Sequence, residues 1–229
     1  MSGAATLAKH SALINYPKQA AFGRVLPKNK IYEHSGANTR LKDLFVEQVE
    51  QIVWQYKLAP ETINLPAKPG VPEVQVFRIA LKTAELSTDV LKCVDGAVQF
   101  PIVFELEHDG KIKVIAAHKR PSEVDASKWV VSDYFSTGWI PANSERSDMP
   151  LVLDLAGLYE ALLQRLIPLA PRDQESFSAL VERLEGVRAK QREIEKVRAK
   201  LAKEKQFNRK VEINATLRQL NNELEELSH

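Results

Sequence analysis

Apolar residues spaced three and four positions apart predict the first helix of the chain, over residues 39–58. This spacing places Leu41, Phe45 and Ile52 on one helical face. Pro60 ends the segment, because a proline disfavours the helical conformation of the residue before it. The helix is therefore expected to pack one side against the body of the protein.

Runs rich in β-branched and aromatic residues follow this helix, together with two shorter helical patterns. Strands are predicted over residues 73–81, 101–106 and 111–117, and helices over 88–98 and 155–167. The clearest signal is Asp109-Gly110 between the second and third runs, because Asp-Gly favours the tight turn of a β-hairpin. Together these elements predict an α+β fold, with a mixed or antiparallel sheet and helices packed on it.

A long helical arm is predicted at the C-terminal end. Residues 173–227 contain no proline and one glycine, and their aliphatic residues recur at threes and fours as in a coiled coil. Thirty helical residues reach roughly 45 Å, so the apolar stripe needs a second helix as its partner. Phe207 interrupts the aliphatic repeat, which favours an antiparallel helical hairpin that turns within residues 203–208. One continuous helix that dimerises is the alternative.

These patterns divide the chain into a tail, a body and an arm. Residues 1–21 are small and polar and predict a flexible or partner-ordered tail. The α+β body is expected over residues 22–170. The helical hairpin or coiled-coil arm is expected over residues 171–229.

Charge and composition narrow the classes of function. The chain has 229 residues, a net charge of +2 and one cysteine. So small a net charge excludes a basic field over the whole protein, and any surface for nucleic acid must be local. No apolar run reaches 18 residues, and the first residues lack the pattern of a secretory signal. We therefore expect a cytoplasmic protein that does not enter a membrane.

Motifs for catalysis are weak. No glycine-rich phosphate loop, spaced set of zinc ligands or nucleophile elbow occurs, so no cofactor and no metal site is predicted. Glu105 and Glu107 alternate along one predicted strand, and Lys113 lies on the next. Two carboxylates and a lysine suit a metal-dependent nuclease, which uses them around a cation and a phosphate. The same pattern is typical of a solvent-facing hairpin, so these residues are weak catalytic candidates.

The basic segment of the arm is the denser signal. Residues 188–210 carry ten lysines and arginines against three glutamates, which gives net +7. The candidate nucleic-acid or partner-binding residues are Arg188, Arg192, Lys196, Lys200, Lys203, Phe207, Arg209 and Lys210, with Lys28 and Lys30 near the N-terminus. In a hairpin, the acidic C-terminal residues would neutralise part of this charge. The remainder would contact a phosphate backbone or an acidic partner.

Three segments resemble a prokaryotic family that is catalogued only as a domain of unknown function, number four-three-nine-one. They are residues 27–33, 52–65 and 204–214, and the resemblance extends over nearly the whole chain. The family brings no established catalytic residues. What the resemblance implies is a context, because such proteins accompany restriction–modification, helicase and other phage-defence genes.

The resulting expectation is a non-catalytic accessory or scaffolding subunit of a prokaryotic phage-defence or DNA-processing complex, docking through its helical arm. The expected partner is a helicase, a methyltransferase or another defence subunit, and homo-oligomerisation through the arm stays open. One alternative is a metal-dependent nuclease-like enzyme that uses the carboxylate–lysine hairpin. The other is a direct nucleic-acid-binding protein that uses the basic arm segment. Gene context shows an association and not a mechanism, so the function has to be argued from the residues of the functional site.

Overall fold

A computed structural model describes residues 11–122, 124–125 and 128–228. The chain divides into two compact units, one that ends at Leu166 and one that begins at Ile167. The predicted boundary between body and arm was four residues later, at 170/171.

The first unit contains eleven strands, five α-helices and one short 3-10 helix (Lys18–Ala20) within its described residues. The strands are β1 (Ile14–Asn15), β2 (Ala21–Val25), β3 (Val49–Leu58), β4 (Val74–Leu81), β5 (Ile102–His108), β6 (Lys111–Ala116), β7 (Lys119–Pro121), β8 (Trp129–Val131), β9 (Phe135–Ser136), β10 (Ile140–Pro141) and β11 (Ser147–Asp148). The helices are α1 (Lys28–Ser35), α2 (Thr39–Gln48), α3 (Pro60–Ile63), α4 (Thr88–Ala97) and α5 (Leu155–Gln164).

The central sheet is mixed. Its strands lie in the order β10-β6-β5-β4-β3-β2, and β9 also pairs with β6. β4 and β5 run parallel, whereas the other pairs of this sheet are antiparallel. Two small ladders accompany it, parallel β1–β11 and antiparallel β7–β8. The predicted α+β fold with a mixed sheet is thereby confirmed.

The β5–β6 hairpin forms where the Asp-Gly signal predicted it. Asp109 and Gly110 have φ angles of 46° and 67°. Two successive residues with positive φ give the turn whose twist matches that of the flanking strands. A glycine tolerates this conformation without steric cost, and an aspartate adopts it more readily than most residues.

The predicted helix over residues 39–58 is wrong in its second half. Helix α2 stops at Gln48, and the chain continues directly into β3, between β2 and β4. β-Branched and aromatic residues dominate this half, which suits a pleated strand. The register of β3 against β4 shifts at Val49/Gln51 and again at Trp54/Tyr56. Such bulges break the alternation of a strand, so the apolar spacing resembles that of a helix.

One face of the sheet carries a hydrophobic core. Phe45 of α2, Phe77 of β4 and Phe104 of β5 are buried there, together with apolar residues of α4. The α4 N-terminus is capped by Ser87, whose hydroxyl accepts from the N–H of Asp89 at 3.3 Å. Asp154 caps α5 in the same way, with 2.9 Å to the N–H of Gly157. Both caps were signalled by residue types that favour this position.

Part of the segment that was predicted as a flexible tail is packed. Leu13 and Ile14 are buried, and the ring of Tyr16 lies 4.9 Å from that of Tyr56 in β3. Bulky apolar side chains at this spacing anchor the segment, so the prediction is corrected over residues 11–21. Residues 1–10 lie outside the described residues.

The second unit is a helical hairpin. Helix α6 (Phe177–Lys203) and helix α7 (Phe207–Ser228) are joined at residues 204–206, within the predicted break. Ile194 of α6 is buried in one cluster with Leu217 and Leu220 of α7. Contacts between the two helices run antiparallel, since Arg183 donates to the carbonyl of Leu227 at 3.0 Å whereas Ile194 meets Leu217. The apolar stripe is therefore covered within the chain, as the favoured hairpin interpretation predicted.

Candidate functional site

Glu105, a weak catalytic candidate, is held in a buried ion pair. Its two carboxylate oxygens accept from the two terminal nitrogens of Arg146 at 2.8 and 2.9 Å. The same guanidinium donates to the carbonyl of Ile14 at 2.9 Å. A two-point arginine–carboxylate pair of this kind fixes geometry. Glu105 thus ties the 146–148 segment and the packed N-terminal segment to the sheet.

The strand register separates the lysine from the two glutamates. In the β5–β6 pair, Glu105 lies opposite Val114, whereas Lys113 lies opposite Leu106. Directly opposed residues share a face of the sheet, and neighbours along a strand alternate. Lys113 therefore lies on the other face from Glu105 and Glu107. The predicted carboxylate–lysine constellation is corrected, because its members do not converge on one point.

Glu107 also has a surface role. Its carboxylate lies 3.6 Å from the guanidinium of Arg78, and both side chains are about a third or more exposed. Across the described residues, no group of three or more His, Cys, Asp or Glu side chains is arranged to hold a metal ion. The two candidate glutamates therefore have structural contacts that account for them.

The two N-terminal binding candidates differ from each other. The ammonium of Lys28 donates to the carbonyl of Phe45 at 2.9 Å and to that of Val49, at the end of α2. Burial and the nearby Lys82 lower the pKa of Lys28. Lys30 is exposed and pairs with Glu33 at 2.9 Å. Lys28 is thus a helix-capping residue rather than a contact for a partner.

A buried polar cluster was missed by sequence reasoning. Lys119 of β7 donates to the carbonyls of Asp95 and Val98 at the end of α4, and lies 3.6 Å from the Asp95 carboxylate. Tyr134 donates to the other oxygen of that carboxylate, and Tyr159 bonds the backbone of β7. Burial raises the pKa of Asp95 and lowers that of Lys119. Each group is satisfied by another, so the cluster fastens α4 to the small ladder.

Cys93 lies at the edge of a shallow hollow between α2 and α4. Its sulfur is 2.9 Å from the hydroxyl of Ser35, and burial raises the pKa of the thiol. The hollow has a volume of about 350 Å³ and is lined mainly by Asn38, Arg40, Leu41, Leu44, Asp89 and Lys92. A thiol with a raised pKa is a poor nucleophile at neutral pH, so Cys93 acts as a small buried side chain.

The hairpin end, defined as residues 192–211, concentrates exposed charge. It carries eight lysines and arginines against three glutamates, a net charge of +5. All eight basic residues are exposed: Arg192, Lys196, Arg198, Lys200, Lys203, Lys205, Arg209 and Lys210. Most of the candidate binding residues therefore lie together on one exposed part of the second unit.

The ion pairs among the described residues do not include the basic residues of the hairpin end. The antiparallel arrangement brings Lys190 to 2.6 Å from Glu223, near the C-terminal acidic residues. Glu193 is also engaged by Lys190, at 3.3 Å. Arg188 lies in this neutralised stretch and is half-buried, so it does not belong to the exposed set. The acidic half of the arm thus neutralises the part of α6 before residue 192.

The turn at the hairpin end is fixed by Glu204. Its carboxylate accepts from the N–H groups of Lys205 and Gln206 at 2.7 and 2.8 Å. These two hydrogen bonds, with the charges of Arg209 and Lys210 nearby, lower the pKa of Glu204. A carboxylate before a helix satisfies N–H groups that the helix leaves unpaired. Glu204 therefore shapes the turn that presents the surrounding cations.

An exposed apolar pair accompanies this charge. Phe207, the first residue of α7, is 77% exposed, and Val211 is 52% exposed. Residues four apart lie on the same side of a helix. Neither belongs to the buried seam of Ile194, Leu217 and Leu220. The hairpin end thus combines an aromatic residue with basic neighbours on a rigid helical turn.

The family described as Domain of unknown function (DUF4391) matches residues 14–224. The chain belongs to this family. The match begins in β1 and ends within α7, so the family includes both the sheet and the helical hairpin. No curated protein and no solved structure matches the chain. Among the described residues, no helix is both long and apolar enough for a membrane crossing.

Proposed function

We propose that this chain is a non-catalytic accessory subunit of a prokaryotic phage-defence or DNA-processing complex in the cytoplasm. It docks on a protein partner, such as a helicase, a methyltransferase or another defence subunit, through the hairpin end. The observation that carries the proposal is the 77% exposure of Phe207 at the start of α7. Aromatic residues are enriched at protein interfaces relative to the rest of the protein surface.

The chemistry around Phe207 defines the partner surface. Aromatic side chains that fill a pocket supply much of the energy of protein interfaces. Phe207 and Val211 form a small apolar face, and Lys205, Arg209 and Lys210 are exposed beside it. The matching surface is an apolar pocket with an acidic rim, because opposite charges steer and orient the encounter.

The hairpin holds this surface in place. The α6–α7 seam is buried, and Glu204 fixes the connecting turn through two backbone hydrogen bonds. A surface that is ordered before binding loses less conformational entropy when the complex forms. These contacts support a docking element that is preorganised in the free protein.

The nuclease alternative has lost its geometric support. Glu105 is neutralised by Arg146, and Lys113 lies on the opposite face of the sheet. A metal-dependent nuclease needs its carboxylates and lysine around one phosphate. The accessory role is therefore the function that the arrangement supports best.

Affinity purification of the tagged full-length protein from its native host, after nuclease treatment, tests the proposal. Wild type should retain a stoichiometric protein partner in quantitative mass spectrometry. Phe207→Ser should reduce its recovery at least tenfold, because truncating an interface anchor costs about 2 kcal/mol or more. Leu151→Ser is the matched control, since Leu151 is fully exposed elsewhere in the chain.

If the proposal is right, the Leu151→Ser variant retains the protein partner in this purification. Recovery lost with Leu151→Ser and kept with Phe207→Ser would place the docking surface elsewhere and overturn it. A wild-type purification with no stoichiometric partner would remove the accessory role itself.

A further inference from the structure

A line of four cations follows one side of α6. Arg192, Lys196, Lys200 and Lys203 are separated by four, four and three residues, and all four are exposed. With 3.6 residues per turn, this spacing keeps them on one side of the helix, about 6 Å apart along its axis. The line is called the α6 ridge, and it is roughly 16 Å long from first to last residue.

The ridge points away from the seam with α7. Ile194 is buried in the seam, and Val197 and Leu201 pack against the same cluster. Successive residues of an α-helix are rotated by 100° about its axis. These seam positions therefore lie on the other side of α6 from residues 192, 196 and 203. The ridge is therefore available to a ligand while the hairpin stays closed.

The four ridge cations form no ion pairs within the part of the chain that the structure describes. Lys190, by contrast, has Glu223 and Glu193 as partners. The acidic residues next to the ridge in sequence are Glu193, Glu195 and Glu204. Lys190 engages Glu193 at 3.3 Å, the Glu204 carboxylate accepts from two backbone N–H groups, and Glu195 forms no ion pair with the ridge among the described residues. The ridge thus presents a repeated positive charge without an internal counterion.

We propose that the α6 ridge binds the phosphate backbone of a nucleic-acid duplex without sequence preference. The phosphates of one DNA strand follow each other every 3.4 Å along the helix axis, so a ridge of about 16 Å runs along roughly five of them. Lysines and arginines at regular intervals neutralise such a backbone and release its counterions. The proposal does not rest on the Phe207 docking surface, which belongs to α7.

The composition of the ridge favours a duplex over other polyanions. Single strands are bound by aromatic side chains on which the bases stack, and this side of α6 has none. A membrane-binding helix needs an apolar face beside its charges, but the apolar face of α6 is covered by α7. An acidic protein partner would also require an apolar anchor, which the ridge lacks.

Fluorescence anisotropy with the purified full-length protein tests the inference. The probes are a labelled 25-base-pair DNA duplex, the corresponding RNA duplex and a single strand, each titrated at 30 to 200 mM salt. We expect binding to duplexes with a log–log salt slope of about −4 for four neutralised phosphates, and weaker binding to the single strand.

The quadruple variant Arg192→Gln, Lys196→Gln, Lys200→Gln and Lys203→Gln should lose at least tenfold in affinity at low salt. Its salt slope should approach zero, because each phosphate contact contributes about one unit. The matched control replaces Lys18, Arg24, Arg40 and Lys92 by Gln, which removes the same charge from exposed positions of the first unit. Both variants must keep the wild-type circular dichroism spectrum.

Three results would overturn the inference. They are no duplex binding at 30 mM salt, equal losses in the ridge and control variants, and tighter binding of the single strand than of the duplex. Equal affinity for an acidic polypeptide, with the same salt slope, would assign the ridge to an acidic protein instead. The Phe207→Ser purification measures recovery of the protein partner, whereas the anisotropy titration measures duplex binding. The docking proposal and the ridge proposal can therefore be contradicted independently.

Discussion

Lysines cap the C-terminal ends of two helices in the first unit. Lys28 and Lys82 donate to carbonyls at the end of α2, and Lys119 donates to those at the end of α4. The last four carbonyls of a helix have no partner within it, and the helix dipole favours a positive charge there. These three residues therefore stabilise the fold, and Lys28 is removed from the set of binding candidates.

Replacing Lys28 by Met should lower the free energy of unfolding of the first unit by about 1–3 kcal/mol, because two partly buried carbonyls lose a charged donor. Lys30→Met is the matched control, with a change below about 0.5 kcal/mol expected for an exposed pair. All three tryptophans lie in this unit, so urea unfolding followed by tryptophan fluorescence measures the change. Equal effects of the two variants would contradict the capping role of Lys28.

Glu105 and Glu107 should respond differently to the same substitution. Glu105→Ala leaves the guanidinium of Arg146 without its buried partner and should cost about 3–5 kcal/mol of stability. Glu107→Ala removes an exposed contact of 3.6 Å to Arg78 and should cost about 1 kcal/mol or less. The same urea measurement applies. A Glu105→Ala variant as stable as wild type would refute the structural assignment.

His118 should make stability depend on pH. Burial and the nearby Arg120 lower its pKa below 6.5, so the unfolded chain binds a proton that the folded one resists. Its contribution is present above pH 6.5 and is lost as the pH falls through the folded-state pKa, with a slope of up to about 1.4 kcal/mol per pH unit. His118→Phe should remove this slope from urea midpoints measured between pH 5 and 7.5. An unchanged slope would contradict the assignment.

At the scale of secondary-structure elements, the sequence was sufficient to predict the structure where one short motif determines it. Asp109-Gly110 fixed the β5–β6 hairpin, and Ser87 and Asp154 marked the starts of α4 and α5. The α2–β3 junction was missed because bulges in β3 give its apolar residues a helix-like spacing. Whether such a segment forms a helix or a strand depends on its pairing with neighbouring strands. The register of that pairing is set by residues far apart in the sequence.

The candidate site also combines features that were evident in the sequence with features that only the structure shows. The exposed cations of the hairpin end and Phe207 were evident in the sequence, because charge runs and interrupted repeats are local features. The partner of Glu105 was not, since Arg146 lies 41 residues away along the chain. The extent of internal neutralisation also needed the structure, because the antiparallel register decides that Glu223 meets Lys190. Pairing between residues far apart in the sequence thus decides which charged side chains are used within the fold and which are available to a ligand.

The hairpin seam should hold both proposed surfaces in place. Ile194→Ala removes a side chain buried with Leu217 and Leu220 and should cost about 2–5 kcal/mol of local stability. Hydrogen exchange should then accelerate across α6 and α7 and stay unchanged in β4 and β5. Ala199→Ser, at an exposed position of α6, is the control and should leave exchange as in wild type. Unchanged protection in Ile194→Ala would contradict the seam.

Over the whole molecule, net positive charge is concentrated in the hairpin end. The chain carries net +2 and the hairpin end net +5, so the remaining residues together carry net −3. A basic region on a slightly acidic protein directs polyanions to that region alone, and association should weaken as salt screens it. This distribution agrees with a subunit whose hairpin meets its partners.

The central claim is that Phe207 on α7 and the ridge on α6 bind different ligands. It is tested most directly by one purification of the tagged full-length protein from its native host, without nuclease, with protein partner and bound nucleic acid quantified in the same eluate. Phe207→Ser should lose the partner and keep the nucleic acid, and the quadruple ridge variant should do the reverse. Loss of both ligands in both variants, or of neither, would contradict the account.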